Sequence, residues 1–260
     1  MSSFYTPRRS KNIYNPDDKK PYKLSRSKID LFLECPRCFY LDRRLGVGRP
    51  PGFPFTLNSA VDALLKKEFD THRASGRPHP LIEAYGVDAM PVSHDDLDTW
   101  RQNFVGIQFF HDTTNLIITG AIDDLWQNSQ NEYIVVDYKA TATNGKITGL
   151  TKGHHAGYKR QMEIYQWLLR RNGLRVSDTG YFVYCNGQKD RDAFDAKLEF
   201  DVTLIPYTGD DEWVEQAVID AHACLQRDHA PDAAHECDYC AYLSAVESVI
   251  TEKNQDMSGR

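Results

Sequence analysis

Asp123, Asp137 and Lys139 are the residues whose types and spacing could do chemistry together. The segments Leu116–Trp126 and Glu132–Thr141 are rich in Ile, Val, Thr, Tyr and Trp, the composition of strands, and Ser129-Gln130-Asn131 between them reads as a turn. A hairpin centred on Gln130 sets Asp123 opposite Asp137, and cross-strand neighbours stand roughly 5 Å apart, where like charges repel. Period-two alternation puts Lys139 on the same face as Asp137. A divalent cation would offset the repulsion, since Mg²⁺ takes one or two carboxylates plus waters and substrate phosphates. The chemistry open to such a face is phosphodiester hydrolysis. Carboxylates holding Mg²⁺ or Mn²⁺ polarise the phosphate and lower the pKa of a water, and a lysine orients that water or stabilises developing charge. The plain alternative is a solvated hairpin face carrying a surface Asp–Lys pair.

The elements around this face can be read in outline. Residues 1–20 are polar and basic and read as a flexible arm. Ser27 can cap a helix bearing Ile29, Phe32 and Leu33, which Pro36 interrupts before the pattern resumes through Phe39, Tyr40 and Leu41. Gly46–Phe55 reads as a loop, Leu57–Ala74 as a helix and Gly76–Val92 as irregular. A short helix over His94–Asn103 and a strand over Val105–His111 precede the hairpin. After it come a loop (Ala142–Gly157) with a histidine pair, His154-His155, and an amphipathic helix (Tyr158–Arg171). Strands over Thr179–Asn186 and Lys197–Ile205 follow, then a helix over Asp211–Arg227, a cysteine-bearing turn, a short helix and a polar tail. This order predicts an α/β fold with a mixed sheet flanked by helices, in one domain over residues 21–250 with a flexible tail at 251–260.

The bulk numbers narrow the function classes. With 260 residues, 41% hydrophobic and 26% charged, the chain can bury a sizeable core. No apolar run reaches membrane-spanning length, so the expectation is a cytoplasmic protein with no membrane partner. A net charge of −6 argues against a nucleic-acid coat protein but not against a nuclease with a locally basic groove. No Walker A loop, dinucleotide fingerprint, nucleophile elbow or H-E-x-x-H motif occurs. There is no helicase segment, so any unwinding would come from a partner.

Six cysteines in such a chain point to metal ligands or buried thiols rather than disulfides. Cys35-Pro36-Arg37-Cys38 and Cys237-Asp238-Tyr239-Cys240 are two C-x-x-C pairs near opposite ends of the chain. Brought together, four thiolates suit tetrahedral Zn²⁺ or an iron–sulfur cluster, and the alternative is four unligated thiols in the core. Cys185 and Cys224 read as buried, inert small hydrophobes.

Gly120-Ala121-Ile122-Asp123, Val135-Val136-Asp137-Tyr138-Lys139 and Gln161-Met162-Glu163-Ile164-Tyr165 together resemble the PD-(D/E)XK nuclease superfamily. The match is to its RecB-like branch, which includes nucleases of CRISPR adaptation and of the AddAB/RecBCD repair systems. Leu24-Ser25-Arg26-Ser27, Cys35-Pro36-Arg37 and Phe39-Tyr40-Leu41 fit that branch too, so the resemblance runs from about Leu24 to Tyr242. It implies a restriction-endonuclease-like core and a metal-dependent deoxyribonuclease, with DNA as substrate and a helicase or other repair protein as partner. Asp123 and Asp137 would ligate Mg²⁺ or Mn²⁺, and Lys139 would be the catalytic lysine. Gln161 and Tyr165 would be its Q-x-x-x-Y motif, on one helix face, contacting DNA or bracing the lysine.

Two departures from the branch stand out. Where it offers a histidine to the metal from the preceding helix, this chain has Asp62, within Asn58-Ser59-Ala60-Val61-Asp62. A carboxylate there is a hard ligand for Mg²⁺ or Mn²⁺, or else pairs with Lys66 one turn on. That residue keeps open a degenerate nuclease fold acting as a DNA- or protein-binding module. The branch's cluster, of the 4Fe–4S type, uses one N-terminal and three C-terminal cysteines, whereas this chain has two and two. The ends would then be tied by a Cys35, Cys38, Cys237 and Cys240 site holding an iron–sulfur cluster or Zn²⁺.

Overall fold

The structure is a computed structural model describing residues 5–52, 56–153 and 155–258, with side chains up to 254. His154 of the histidine pair and the last three residues of the Gly46–Phe55 loop lie outside the described residues. In chain order the elements are β1 (Tyr22–Ser25), α1 (Arg26–Glu34), α2 (Pro36–Arg43), α3 (Thr56–Ser75), α4 (Pro80–Ala84), β2 (Met90–Pro91), α5 (Leu97–Trp100), β3 (Ile107–His111), β4 (Leu116–Gly120), β5 (Asp124–Gln127), β6 (Tyr133–Thr141), α6 (His155–Arg171), β7 (Thr179–Gly187), β8 (Phe200–Thr208), α7 (Glu212–Leu225) and α8 (Asp238–Ser258). They form two compact units, one of Met1–Gly52, Asp112–Leu116 and Glu215–Arg260, the other of Phe53–His111 and Ile117–Val214.

The second unit is built on a five-stranded mixed sheet in the order β2-β5-β6-β7-β8. β6 lies at its centre, antiparallel to β5 and parallel to β7, with α6 as the crossover that a parallel pair requires. Alternation sorts β6 by face. Ile134, Val136 and Tyr138 join Leu65 and Phe69 of α3, Trp126 and Val183 in one buried cluster. Phe69 is its hub, stacked on Trp126 at 5.4 Å and on the His79 ring at 4.2 Å. The alternate residues, among them Asp137 and Lys139, project from the opposite face.

The hairpin has the expected register, Asp124 pairing with Val136 and Leu125 with Val135. The first strand is not continuous, however. It breaks after Gly120 and restarts at Asp124, so that β4 belongs to a second sheet beside β3. Close packing accounts for the break. A Cβ on Gly120 would lie 2.7 Å from the Tyr165 ring, and the Gly120 carbonyl abuts Gly106, itself at φ +62°. Three residues of non-strand backbone, Ala121–Asp123, therefore carry the first aspartate. The stretch expected to be irregular, Gly76–Val92, contains the short α4 and β2.

In the first unit, Pro36 does end one helix and start another. Cys35 between them is extended (φ −161°, ψ 104°), as the residue before a proline prefers, and Pro36 takes the first turn of α2. Helix α1 begins at Arg26, with Ser25 rather than Ser27 at its N-cap. Buried Asp42 is ringed by Lys28 at 2.8 Å, Arg43 at 2.9 Å and Arg9 at 2.5 Å. The last helix, Asp238–Ser258, is longer than the short helix expected there, with Ser248 donating to Glu252 one turn on. Among the described residues, no helix is long and apolar enough to cross a membrane.

Candidate metal and active site

Asp137 is fully buried in mid-strand. Lys139 Nζ lies 2.5 Å from its Oδ2, and no other hydrogen-bond donor among the described residues reaches either carboxylate oxygen. Buried carboxylates are ordinarily well supplied with donors, so a carboxylate served by Lys139 alone forms a site that a hard cation would complete. Asp123 stands where the β5 ladder ends, and the Tyr138 peptide N–H donates to its Oδ2 at 2.8 Å. Burial, and then the Asp137 charge, push the Asp123 carboxyl up to about 7, against the pull of Lys66, Lys139 and that N–H. Two carboxylates that disfavour each other's ionisation are the electrostatic counterpart of this shortage of donors. The donor set fits Mg²⁺ or Mn²⁺.

Lys139 is held on several sides. Burial alone would lower its pKa, but Asp137 and Asp123 raise it, so it stays an ammonium. Its Nζ donates to Gln161 Oε1 at 3.2 Å, and Gln161 Nε2 donates to the Tyr165 hydroxyl at 3.0 Å. The same Nζ lies 4.5 Å from the centre of the Tyr158 ring. A lysine fixed in this way donates hydrogen bonds and positive charge, and it is not a proton acceptor.

Asp62 is drawn elsewhere. On α3 its Oδ2 pairs with Lys66 Nζ at 2.9 Å, and the same ammonium lies 3.5 Å from Asp123 Oδ1. Among the described residues, the one set of three or more His, Cys, Asp or Glu side chains with ligand atoms within 4.8 Å of each other is the four cysteines. Asp62, Asp123 and Asp137 thus do not close into one three-carboxylate cage. Lys66 is instead a second cation at the site. The sequence shows it only as a possible partner for Asp62.

A supporting network that the sequence did not reveal lies behind Asp123. The adjacent Asp124 is fully buried and accepts from Arg73, from Arg101 Nη2 at 2.7 Å, from the Tyr138 hydroxyl at 2.7 Å and from the Trp126 indole at 3.1 Å. Arg73 and Arg101 both also bind Asp70, and Arg101 Nε donates to the Asp123 carbonyl at 3.0 Å. The network therefore pins the backbone that carries the first aspartate. The only hint of it in the sequence is a second acid beside Asp123 at the head of an apolar strand. His155 is buried, takes the Lys152 N–H on Nδ1 and stacks on Tyr158.

In the first unit, Cys35, Cys38, Cys237 and Cys240 come together, all buried. Cys35 sits between α1 and α2, Cys38 one turn into α2, and Cys237 and Cys240 at the start of α8. Burial pushes the Cys35 thiol up, but the backbone N–H groups of Ala234 and Cys38 and the neighbouring thiols bring it down to about 7. Arg49 Nη2 reaches Cys237 Sγ at 3.7 Å. Cys185 and Cys224 are buried apart from this set, and burial raises both thiols to about 11.

The raised Asp123 carboxyl has a measurable consequence. An unfolded aspartate titrates near 4. Between that value and about 7 the native protein keeps a proton that the unfolded chain has lost, so this group's contribution to stability falls as pH rises across the window. In Mg²⁺-free buffer, wild type is expected to lose stability relative to Asp123→Asn between pH 5 and pH 8, read from denaturant midpoints. A difference that stays constant with pH would contradict the shift.

Comparison with known proteins supplies the remaining finding. The family profile of the PD-(D/E)XK nuclease superfamily matches residues 56–245. No curated protein matches the chain. Among solved structures, a crystal structure of SSO0001 is similar at 17% identity over 87% of this chain and 86% of that one, with a TM-score of 0.39.

Proposed function

Because the chain belongs to the PD-(D/E)XK nuclease superfamily, we propose that it is a metal-dependent deoxyribonuclease of the RecB-like branch, acting in DNA repair, recombination or phage- or CRISPR-type DNA processing. The observation that carries the proposal is the buried Asp137 carboxylate, which has the Lys139 ammonium against one oxygen and no other hydrogen-bond donor among the described residues. Asp123 and Asp137 would hold Mg²⁺ or Mn²⁺, which when bound polarises the scissile phosphate and acidifies a water. Lys139 orients the attacking water and offsets charge developing on the phosphate, braced by Gln161, which Tyr165 holds in turn. Lys66 holds Asp62 and faces Asp123 with a fixed positive charge. The four cysteines would hold a structural metal, and the opening Leu24–Leu41 segment and the Q-x-x-x-Y pair support the branch. DNA is the substrate in this reading, and unwinding is left to a helicase partner.

The test is cleavage of single-stranded and duplex DNA across Mg²⁺ and Mn²⁺ titrations, with Lys139→Ala alongside. Wild type should cut only with metal, and the variant should be slower by about 10²–10³-fold, the usual loss on removing one preorganised donor. Equal cleavage by the two proteins would show the lysine assignment to be wrong. A second reading is favoured by one observation, that Asp62 is tied up by Lys66 instead of joining the other carboxylates. That reading is a degenerate nuclease fold, and it predicts DNA or protein binding with no metal-dependent cutting.

A further inference from the structure

The four thiols are too close together for an iron–sulfur cluster, and we infer that they form a mononuclear tetrahedral site that takes Zn²⁺. The inference sharpens the reading of the cysteines as a metal site and does not depend on cleavage. The Sγ–Sγ distances are 3.6 Å for Cys38–Cys237, 3.7 Å for Cys38–Cys240 and 3.9 Å for Cys35–Cys240, and all four sulfurs lie within 4.8 Å of one another. Four ligands around one Zn²⁺ at a Zn–S length near 2.3 Å stand at tetrahedron corners whose edge is about 3.8 Å. The observed edges bracket that value.

Neither polynuclear alternative fits. In a [4Fe–4S] cluster each thiolate binds a different iron, so two Fe–S bonds and an iron–iron separation lie between any two thiolate sulfurs. That spreads every pair well beyond the 4.8 Å seen here. A [2Fe–2S] cluster would divide the cysteines into two close pairs held apart from each other. Here Cys38 is close to both Cys237 and Cys240, and Cys240 is close to Cys35 as well, so no such division exists. The two-plus-two C-x-x-C spacing agrees with a closed structural zinc site. Between single ions, four thiolates bind Zn²⁺ more tightly than Fe²⁺, following the usual order for divalent metals.

The surroundings suit the charge of such a centre. One Zn²⁺ and four thiolates carry a net charge of −2 in a buried place. The Arg49 guanidinium, anchored to Glu34 at 2.7 Å and stacked 4.7 Å from the Tyr239 ring centre, lies beside Cys237 and offsets part of it.

Metal and sulfide analysis of full-length protein purified anaerobically without added metal tests this. The expected result is one zinc per chain, no acid-labile sulfide and a colourless solution. Exchange with Co²⁺ should give the intense visible bands of tetrahedral thiolate cobalt. The Lys139→Ala protein should carry the same single zinc, which separates this site from the fate of the nuclease reading. Cys38→Ser/Cys240→Ser should lose the zinc. Should that variant not fold, release of one zinc from wild type by a thiol-blocking mercurial makes the same point. Iron in place of zinc, with or without sulfide, overturns the inference, and so does a protein that binds neither Zn²⁺ nor tetrahedral Co²⁺.

Discussion

Asp137→Ala protein is expected to bind no divalent ion at the β5–β6 site and to cleave DNA at least about 10³-fold more slowly than wild type. A metal's stabilisation of transition-state charge is worth several kcal/mol, and each ~1.4 kcal/mol is tenfold in rate. Asp137 is the more central of the two paired carboxylates, being fully buried in the middle strand of the sheet. The same change should cost less in stability than in activity. It takes the nearest counter-charge from the buried Lys139 ammonium, but it also relieves the Asp123–Asp137 repulsion, and Lys139 keeps Gln161 and the Asp123 charge nearby. Loss of activity out of proportion to the fall in melting temperature is the mark of a group kept for function rather than for folding. Calorimetric Mn²⁺ titration and a melting curve read both halves. Retained Mn²⁺ binding or retained cleavage would remove Asp137 from the site.

Asp124→Ala should do the reverse and strike stability first. Asp124 is the buried counter-charge for Arg73 and Arg101, and without it two nearly buried guanidinium groups are left to share Asp70, which is half exposed. Removing one partner of a buried ion cluster typically costs 3–5 kcal/mol, a fall of about 10 °C in melting temperature for a chain of this size. Lost hydrogen bonds from Tyr138 and Trp126 add to the cost. Activity should fall as well, because Arg101 also holds the Asp123 carbonyl. Asp124→Asn, which keeps the shape but not the charge, should lie between the two. A melting temperature within 1–2 °C of wild type for Asp124→Ala would show that the arginines need no counter-charge.

The two predictions separate what was legible in the sequence from what was not. β6 could be found because its composition, its alternation and the turn at Ser129–Asn131 all agree. The register followed from turn length alone, and with it the placement of Asp123 toward Asp137. Helix α6 was equally plain, since an i,i+4 pair such as Gln161 and Tyr165 shares a face in any helix. The break in the strand before Asp124 was not legible. It depends on how closely Gly120 approaches Tyr165 and Gly106, and those residues are distant in the chain.

Local chemistry therefore determined the outline. Residue types and short spacings named two facing carboxylates, a lysine beside one of them and two cysteine pairs, because strand alternation, turn length and C-x-x-C spacing act over a few residues. The partners were decided only by tertiary structure. Lys66 could have ended on solvent, yet it bridges Asp62 toward Asp123, and Arg73 and Arg101 come from separate segments to meet Asp124. Electrostatic pairing and desolvation depend on distance in space, which sequence separations of 51 and 23 residues do not encode. The cysteines show the same division. Their pairing was readable, but their crowding to 3.6–3.9 Å, which selects one ion over a cluster, belongs to the folded unit alone.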